Sequence, residues 1–318
     1  MKCLVTGGGG FIGSAIVAKL IKNGRRVVAM GRFERPHYIP GTVINDVEIV
    51  KGDVRDQAAV EAAARNCDQI YHFAGIVDSD AASGLSVDAI ETEIMGLRNT
   101  CQVALKQDIE KIIYGSSCAV YGDDKLLSAL TEGSPVHPKS HYAVLKRMGE
   151  LLLKSYGDEQ GLNHLILRIF NPYGINQPKN MAMHRFFEAA INNSPIQIYG
   201  VGNQTRDFIY IDDVAKASVL AAEKVIGSET LNVCTGQDNS VRTVAEIIIS
   251  MTDSASECDF LPTPSGRAEG ELSRSFGSIT KMLSMTGFAP IVGLEEGLKL
   301  MYEDMVSETN RLSSSINT

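Results

Sequence analysis

The sequence has no Cys-x-x-Cys pair, no surplus of positive charge and no apolar run near the roughly 18 residues that a membrane helix needs. Each absence excludes something. The six cysteines, Cys3, Cys67, Cys101, Cys118, Cys234 and Cys258, are scattered, which leaves no cysteine-based metal pattern and favours the reduced thiols of a cytoplasmic protein. Met1 is followed at once by an apolar strand pattern rather than by a charged-then-apolar leader, so neither secretion nor membrane spanning is expected. A formal net charge of -8 gives no general attraction to nucleic acid or anionic lipid, although local basic residues can still bind phosphates. No internal repeat is present. The 318 residues exceed the roughly 250 to 300 that one core usually serves, so two parts sharing a cleft are expected.

The chain opens on an apolar run at residues 2–6, then Thr6-Gly-Gly-Gly-Gly-Phe-Ile-Gly13, then residues 14–21 with Ile16, Val17, Leu20 and Ile21 on one helical side. Strand, glycine turn and helix in this order suit a dinucleotide. Gly7 permits the tight turn, Gly10 lets the backbone approach a pyrophosphate, and Gly13 allows the helix to pack on the strand. Phe11 and Ile12 complete the loop, and the helix amino terminus faces the phosphates. Residues 26–30 read as a second strand, after which a dinucleotide fold usually carries an acidic residue for the adenosine ribose. Gly31 and Arg32 stand there instead. A guanidinium with no opposing carboxylate accommodates a ribose 2′-phosphate, so NAD and NADP are both candidates with a lean toward NADP. A solvent-facing Arg32 is the plainer alternative, and Glu34 lies close enough to blur the distinction.

Residues 48–51 lead into Gly52-Asp53-Val54, where Asp53 either reaches an adenine amine or serves as a turn residue. Asp56 or Gln57 opens a helix through Ala64. Residues 70–75 make a fourth strand and turn, in which the backbone of Phe73, Ala74 and Gly75 can lie against a cofactor, while His72 reads as a packed core histidine. Residues 85–106 place Ile90, Ile94, Leu97, Cys101 and Leu105 at helical spacing, long enough to cross a domain or form a dimer face.

A fifth strand at residues 111–114 delivers Gly115-Ser-Ser-Cys-Ala-Val-Tyr-Gly122 at its carboxyl end, where open α/β sheets bind ligands. Beyond a Pro135 to Pro138 turn comes Ser140-His-Tyr-Ala-Val-Leu-Lys146. Tyr142 and Lys146, four apart, share one helix face, and a fixed ammonium lowers a phenol pKa from its usual value near ~10. Tyr142 is then a candidate acid/base, with Ser116 or Ser117 donating to the same substrate oxygen and Tyr121 contacting the substrate. Taken alone, Tyr-x-x-x-Lys is equally a chance pair on a surface helix. Residues 162–170 read as a further strand running into Asn171-Pro-Tyr-Gly174, after which the alternation breaks down. Residues 182–191 and 240–251 have helical spacing, 208–211 and 231–234 read as strands, Asp212 is a plausible cap, 262–270 form a loop containing Arg267, and a last helix spans 294–305. Residues 307–318 are polar enough to fray.

The ordered set of Thr6 to Gly13, Gly52-Asp53, His72 to Gly75, Ser116-Ser117, Tyr121-Gly122, Tyr142 with Lys146, Arg168, Asn171 to Gly174, Arg206 to Asp213, and Arg267 with Gly270 resembles the extended short-chain dehydrogenase/reductases. Within them it is similar to the NAD(P)-dependent nucleotide-sugar epimerase/dehydratase family over nearly its full length. The resemblance implies an α/β fold: a doubly wound parallel sheet of Rossmann type with a smaller carboxyl-terminal α/β substrate-binding domain. Residues 1–171, with 207–239 returning, would form the cofactor domain, 172–206 and 240–306 the substrate domain, and 307–318 a flexible tail. It implies Ser117 as triad hydroxyl, Tyr142 as acid/base and Lys146 as the residue that binds the nicotinamide ribose and lowers the tyrosine pKa. Asn171 would contact a nucleoside diphosphate sugar, Arg206 and Arg267 would clamp its phosphates, and a homodimer would form through helices near 85–106 and 140–156.

Three departures qualify the resemblance. Family dehydratases place Asp-Glu after the triad hydroxyl, where this chain has Cys118 and Ala119, which disfavours elimination of water. Glu93, before Gly96, takes the place of a usual asparagine, and the acid after the second strand is missing. The leading expectation is a nucleotide-sugar 4-epimerase. An NADPH-dependent ketoreductase and a non-catalytic dinucleotide-binding regulator are the alternatives.

Overall fold

Short runs of branched and aromatic side chains form the strands of a seven-stranded parallel sheet, seen in a computed structural model that describes residues 1–33, 38–76, 85–122, 128–263 and 274–316, with side chains to residue 307. Its strands are β1 (Lys2–Thr6), β2 (Arg26–Gly31), β3 (Val47–Lys51), β4 (Gln69–His72), β5 (Lys111–Ser117), β6 (His164–Ile169) and β7 (Glu229–Val233). Their order across the sheet is β7-β6-β5-β4-β1-β2-β3, with every neighbouring pair parallel. Both faces are covered, so the central strands are nearly continuous apolar runs. The period of two sorts their side chains between two cores. Cys3, Val5, Val27, Ala29, Ile113, Leu165 and Leu167 face one cluster with Ile16 and Val17 of α1 (Phe11–Lys22) and Val214 and Ala217 of α7 (Ile211–Lys224). Leu4, Val28, Met30, Ile112, Tyr114 and Ile166 face the other, with Val60 of α2 (Gln57–Ala63), Leu97 and Cys101 of α4 (Gly96–Lys106) and Leu153 of α5 (His141–Gln160).

Local chemistry sets the helix starts. The Asp56 carboxylate accepts the N–H groups of Ala58 and Ala59 at the start of α2, and Ser140 accepts the Ala143 N–H at the start of α5, whose end is closed by Gly161 in the left-handed region. Asp212 does not cap α7. That helix begins after Tyr210 without a side-chain cap, and Asp212 lies in its first turn, where an acid suits the helix dipole. The segment expected as one helix over 85–106 is interrupted. α3 (Val87–Ile90), capped by Ser86, passes through a π turn at Glu91–Met95 before α4 begins.

After β6 the chain leaves the sheet. Strand Asn171–Tyr173 pairs with Phe208–Tyr210, Ile196–Tyr199 with Cys258–Leu261, and Thr205–Arg206 with both Asn239–Ser240 and Arg274–Ser275. Helices α6 (Ala182–Ile191) and α8 (Val241–Met251) flank these pairs. Phe186, Phe187, Ile196, Ile198 and Ile248 belong to the same apolar cluster as α1 and α7, so the carboxyl-terminal part shares a core with the sheet. The last helix runs over Leu294–Ile316, past the expected end at 305, because no glycine or proline stops it once Gly297 is passed. Among the described residues no helix is long and apolar enough to cross a membrane.

Candidate active site

The strand order reverses between β1 and β4, and the carboxyl ends of these strands frame a crevice. Gly7 there has a φ of +67°, and a Cβ on it would lie 2.6 Å from the Phe73 carbonyl oxygen, while one on Gly13 would fall 2.1 Å from the Gly7 carbonyl oxygen. Only glycine lets strand, turn and helix approach this closely. Gly10 is the N-cap of α1 and brings no side chain, so Phe11, Ile12 and Gly13 begin the helix with N–H groups that the helix leaves unpaired. No acidic residue stands in the first turn to compete for them. The cradle therefore fits a dinucleotide pyrophosphate.

Opposite the turn, Ala74 N–H donates to Thr6 Oγ1 at 3.3 Å, and the hydroxyls of Thr6 and Thr100 each lie 3.1 Å from His72 Nδ1. These contacts tie the two strand ends together. Burial, aided by the Lys146 charge, pushes the His72 pKa down to about 3, so the ring is a neutral core histidine. The Phe73 ring lies over Gly115, where a Cβ would come within 2.6 Å of it. Just beyond the carboxyl end of β2, Arg32 is exposed and within electrostatic reach of Asp53. The Asp53 carboxylate accepts Arg55 N–H at 2.9 Å, Nε at 3.1 Å and Nη2 at 2.8 Å, and this guanidinium holds its pKa below the usual carboxylate range. Arg55 also pairs with Asp88 and Glu91, so Asp53 is one member of a surface network, while Val54 is buried against Gly96.

β5 ends on two serines whose hydroxyls diverge. Ser116 is buried and donates to Glu150 Oε1 at 2.7 Å. Ser117 is half-buried, caps the turn Cys118–Tyr121 by accepting the Ala119 N–H at 3.2 Å, and neighbours Tyr142. Of the two serines, Ser117 is the one whose hydroxyl lies beside Tyr142. Lys146, one turn further along α5, is buried with its Nζ 5.9 Å from the centroid of the Tyr142 ring. Nζ donates to Glu93 Oε1 at 2.8 Å and to the Gly115 carbonyl at 2.9 Å. Burial raises the Tyr142 pKa, Lys146 lowers it, Glu93 raises it again and Ser117 lowers it; the balance lies above the ordinary value of 10.0. The expected lowering by Lys146 is thus present but outweighed. Burial opposes the charge on Lys146, yet Glu93 and Tyr142 together raise its pKa, so the ammonium persists.

Three of the residues expected to hold substrate have partners within the chain. Tyr121 is 1% exposed, donates its hydroxyl to Asn232 Oδ1 at 2.6 Å and carries the Arg168 guanidinium 4.7 Å from its ring centroid. Asn171 is half-buried and its Nδ2 donates to the Asp207 carbonyl at 3.0 Å. Arg206 is also half-buried, and its Nη1 donates to the Thr205 carbonyl at 2.8 Å. Arg267, like Gly270 and Glu34, lies outside the described residues.

Residues 3–234 match the family described as NAD dependent epimerase/dehydratase. The chain belongs to this family. It is 34% identical over 301 residues to a putative UDP-glucose 4-epimerase of Methanocaldococcus jannaschii, covering 93% of this chain and 95% of that one. It is 30% identical over 313 residues to a UDP-N-acetyl-alpha-D-glucosaminuronate decarboxylase of Bacillus cytotoxicus, covering 94% of this chain and 95% of the other. Among solved structures, the UDP-glucuronic acid 4-epimerase of Bacillus cereus in complex with UDP-glucuronic acid and NAD superposes with a TM-score of 0.88 at 28% identity, over 97% of this chain and all of that one.

Within this epimerase/dehydratase fold, two buried carboxylates near Tyr142 went unassigned in the sequence reading. Glu150, one turn beyond Lys146, accepts Ser116, Arg147 Nη1 at 2.8 Å, and Arg168 through Nε at 2.9 Å and Nη2 at 2.8 Å. The available signal was Arg168 in the middle of an apolar strand run, since a buried guanidinium calls for a paired acid. Glu93 was visible only as a departure from the family asparagine. Asp207, also buried, accepts the N–H groups of Thr235 at 2.8 Å, Gly236 at 2.9 Å and Gly277 at 3.2 Å, so it anchors the turn after β7.

Proposed function

We propose that the protein is a nucleotide-sugar 4-epimerase acting on a UDP-linked sugar. The observation that carries this reading is the corner where Tyr142, Ser117 and the charged Lys146 meet at the carboxyl end of β5, beside the glycine cradle. The glycine cradle of Gly7, Gly10 and Gly13 would hold a nicotinamide dinucleotide, which when bound would supply reversible hydride acceptance at C4. Tyr142 takes the proton of the C4 hydroxyl as the carbonyl forms and gives it back after the sugar has turned. Ser117 donates to the same oxygen, and Lys146 holds the ribose of the cofactor. Cys118 and Ala119 stand where family dehydratases place Asp-Glu, which argues against elimination of water.

Asn171, Arg206 and Arg267 are assigned to the sugar diphosphate, with 172–206 and 240–306 as the substrate-holding part. The UDP-sugar relatives support this substrate class and do not favour a one-way reductase. The cofactor is NAD or NADP, and the finer choice is assigned to Arg32. Six free thiols, five of them buried, suit a cytoplasmic setting. We assign a homodimer to the exposed apolar stripe of Val144, Met148 and Leu151 on α5, which follows helical spacing, together with exposed Met95 on the neighbouring π turn.

Substrate deuterated at C4 decides the reaction. UDP-glucose so labelled is expected to give UDP-galactose that keeps the label, with no net change in cofactor absorbance. Stoichiometric cofactor consumption without any epimer, across UDP-linked sugars and their 4-keto forms, would replace the epimerase by a reductase.

A further inference from the structure

The π turn Glu91–Met95 is wider than the helices it joins, a winding that recurs where a side chain must be re-aimed for function. Its middle residue, Glu93, is 2% exposed, and its carboxylate reaches the catalytic corner. Oε1 accepts both Lys146 Nζ and the Tyr114 hydroxyl. Oε2 lies 2.8 Å from where a Cβ on residue 75 would stand, so the glycine there makes room for the acid. A buried carboxylate is costly unless it is paired, and this one is paired to the lysine on which the chemistry depends.

An ammonium has three protons to donate. Lys146 commits one to Glu93 and one to the Gly115 carbonyl, which leaves a single proton for the cofactor ribose or Tyr142. We propose that Glu93 is a positioning residue for the Tyr142 reaction: it holds the Lys146 ammonium in place and offsets the charge that Tyr142 feels from it. The proposal rests on Tyr142 being the acid/base. The groups that face this corner are Lys146 and Glu150 from α5, Glu93 from the π turn, Tyr114 from β5, Cys118 from the turn after it and neutral His72 from β4. Glu150 is neutralised by Arg168 and Arg147. Lys146 favours the phenolate, whereas Glu93 opposes it. Such a counterweight has a use in a cycle where the same phenol must remove a proton and then return it. A tyrosine made too acidic by an unopposed lysine would stop as phenolate.

The test is an ultraviolet titration of the phenolate band on the cofactor-free protein, with the Tyr142→Phe protein subtracted so that only Tyr142 is read. Glu93→Gln keeps the acceptor oxygen and removes the charge, and should move the Tyr142 transition down by about one pH unit. The acid limb of kcat on UDP-glucose should shift down with it, because less alkaline solution then suffices to form the base. Tyr114→Phe takes a donor from Glu93, leaves its charge less compensated and should move both upward. Should Glu93→Gln fail to fold, the Tyr114→Phe shift decides. A Tyr142 transition unmoved in the folded variants overturns the proposal and makes Glu93 a packing residue only. An acid limb that survives Tyr142→Phe overturns instead the assignment of Tyr142 as acid/base.

Discussion

Arg32 is exposed just beyond β2, at the place where a carboxylate would repel a ribose 2′-phosphate, and none stands at 31–33. Arg32→Ala is therefore expected to weaken NADP by about 1.5 kcal/mol, near the lower end for a charge-assisted bond because water screens it, or roughly tenfold in Kd. Binding of NAD, followed by calorimetry on the same protein, should stay nearly unchanged. Equal losses for the two cofactors would remove Arg32 from the choice. At this scale, the placements legible in the sequence were those that depend on near neighbours. The glycine turn and the Tyr142 to Lys146 spacing are local, and so is Ser117, four residues before Tyr121. Tyr121 itself, read as a substrate contact, has its hydroxyl taken by Asn232, a residue more than a hundred positions away. No spacing rule reports such a partner.

Helix α5 works on two faces. Tyr142, Lys146 and Glu150 recur every fourth residue toward the sheet, while Val144, Met148 and Leu151 point away from it. Glu150→Ala would leave Arg168 buried without its partner, and losing one member of a buried pair costs about 3 to 5 kcal/mol. A lowered urea midpoint should show it, with Glu150→Gln intermediate because it still accepts from Ser116. A loss below about 1 kcal/mol would mean that water reaches the guanidinium. The long strands and helices were legible because their periods repeat several times. The π turn was not, since one wider turn leaves apolar spacing almost intact. The two-residue strands at Thr205–Arg206, Asn239–Ser240 and Arg274–Ser275 are too short to show any period. The end of the last helix was missed for another reason: polar residues 307–316 read as a fraying tail, but polarity does not end a helix.

For the whole molecule, the stripe on α5 predicts a dimer. Met148 and Leu151 are 44% and 50% exposed in the single chain, a poor disposition for apolar side chains four and seven positions beyond Val144 unless another copy covers them. Leu151→Lys should convert a dimer to a monomer in sedimentation equilibrium, because one charge would be buried on each side of a twofold contact. A wild-type protein that sediments as a monomer at micromolar concentration would refute the assignment.

The position of β7 also bears on how the chain emerges from the ribosome. β6 is buried along its whole length, yet its outer neighbour arrives only after the detour through 172–206. From the end of β6 at Ile169 to the end of β7 at Val233 the ribosome adds 64 residues, 170 to 233, which at about 5 to 20 residues per second take roughly 3 to 13 s to synthesise. Throughout that interval β6 is an unpaired apolar edge, open to misjoining with another nascent chain. The detour that carries Asn171–Tyr173 off the sheet thus leaves, during translation, an edge of the kind that chaperones shield.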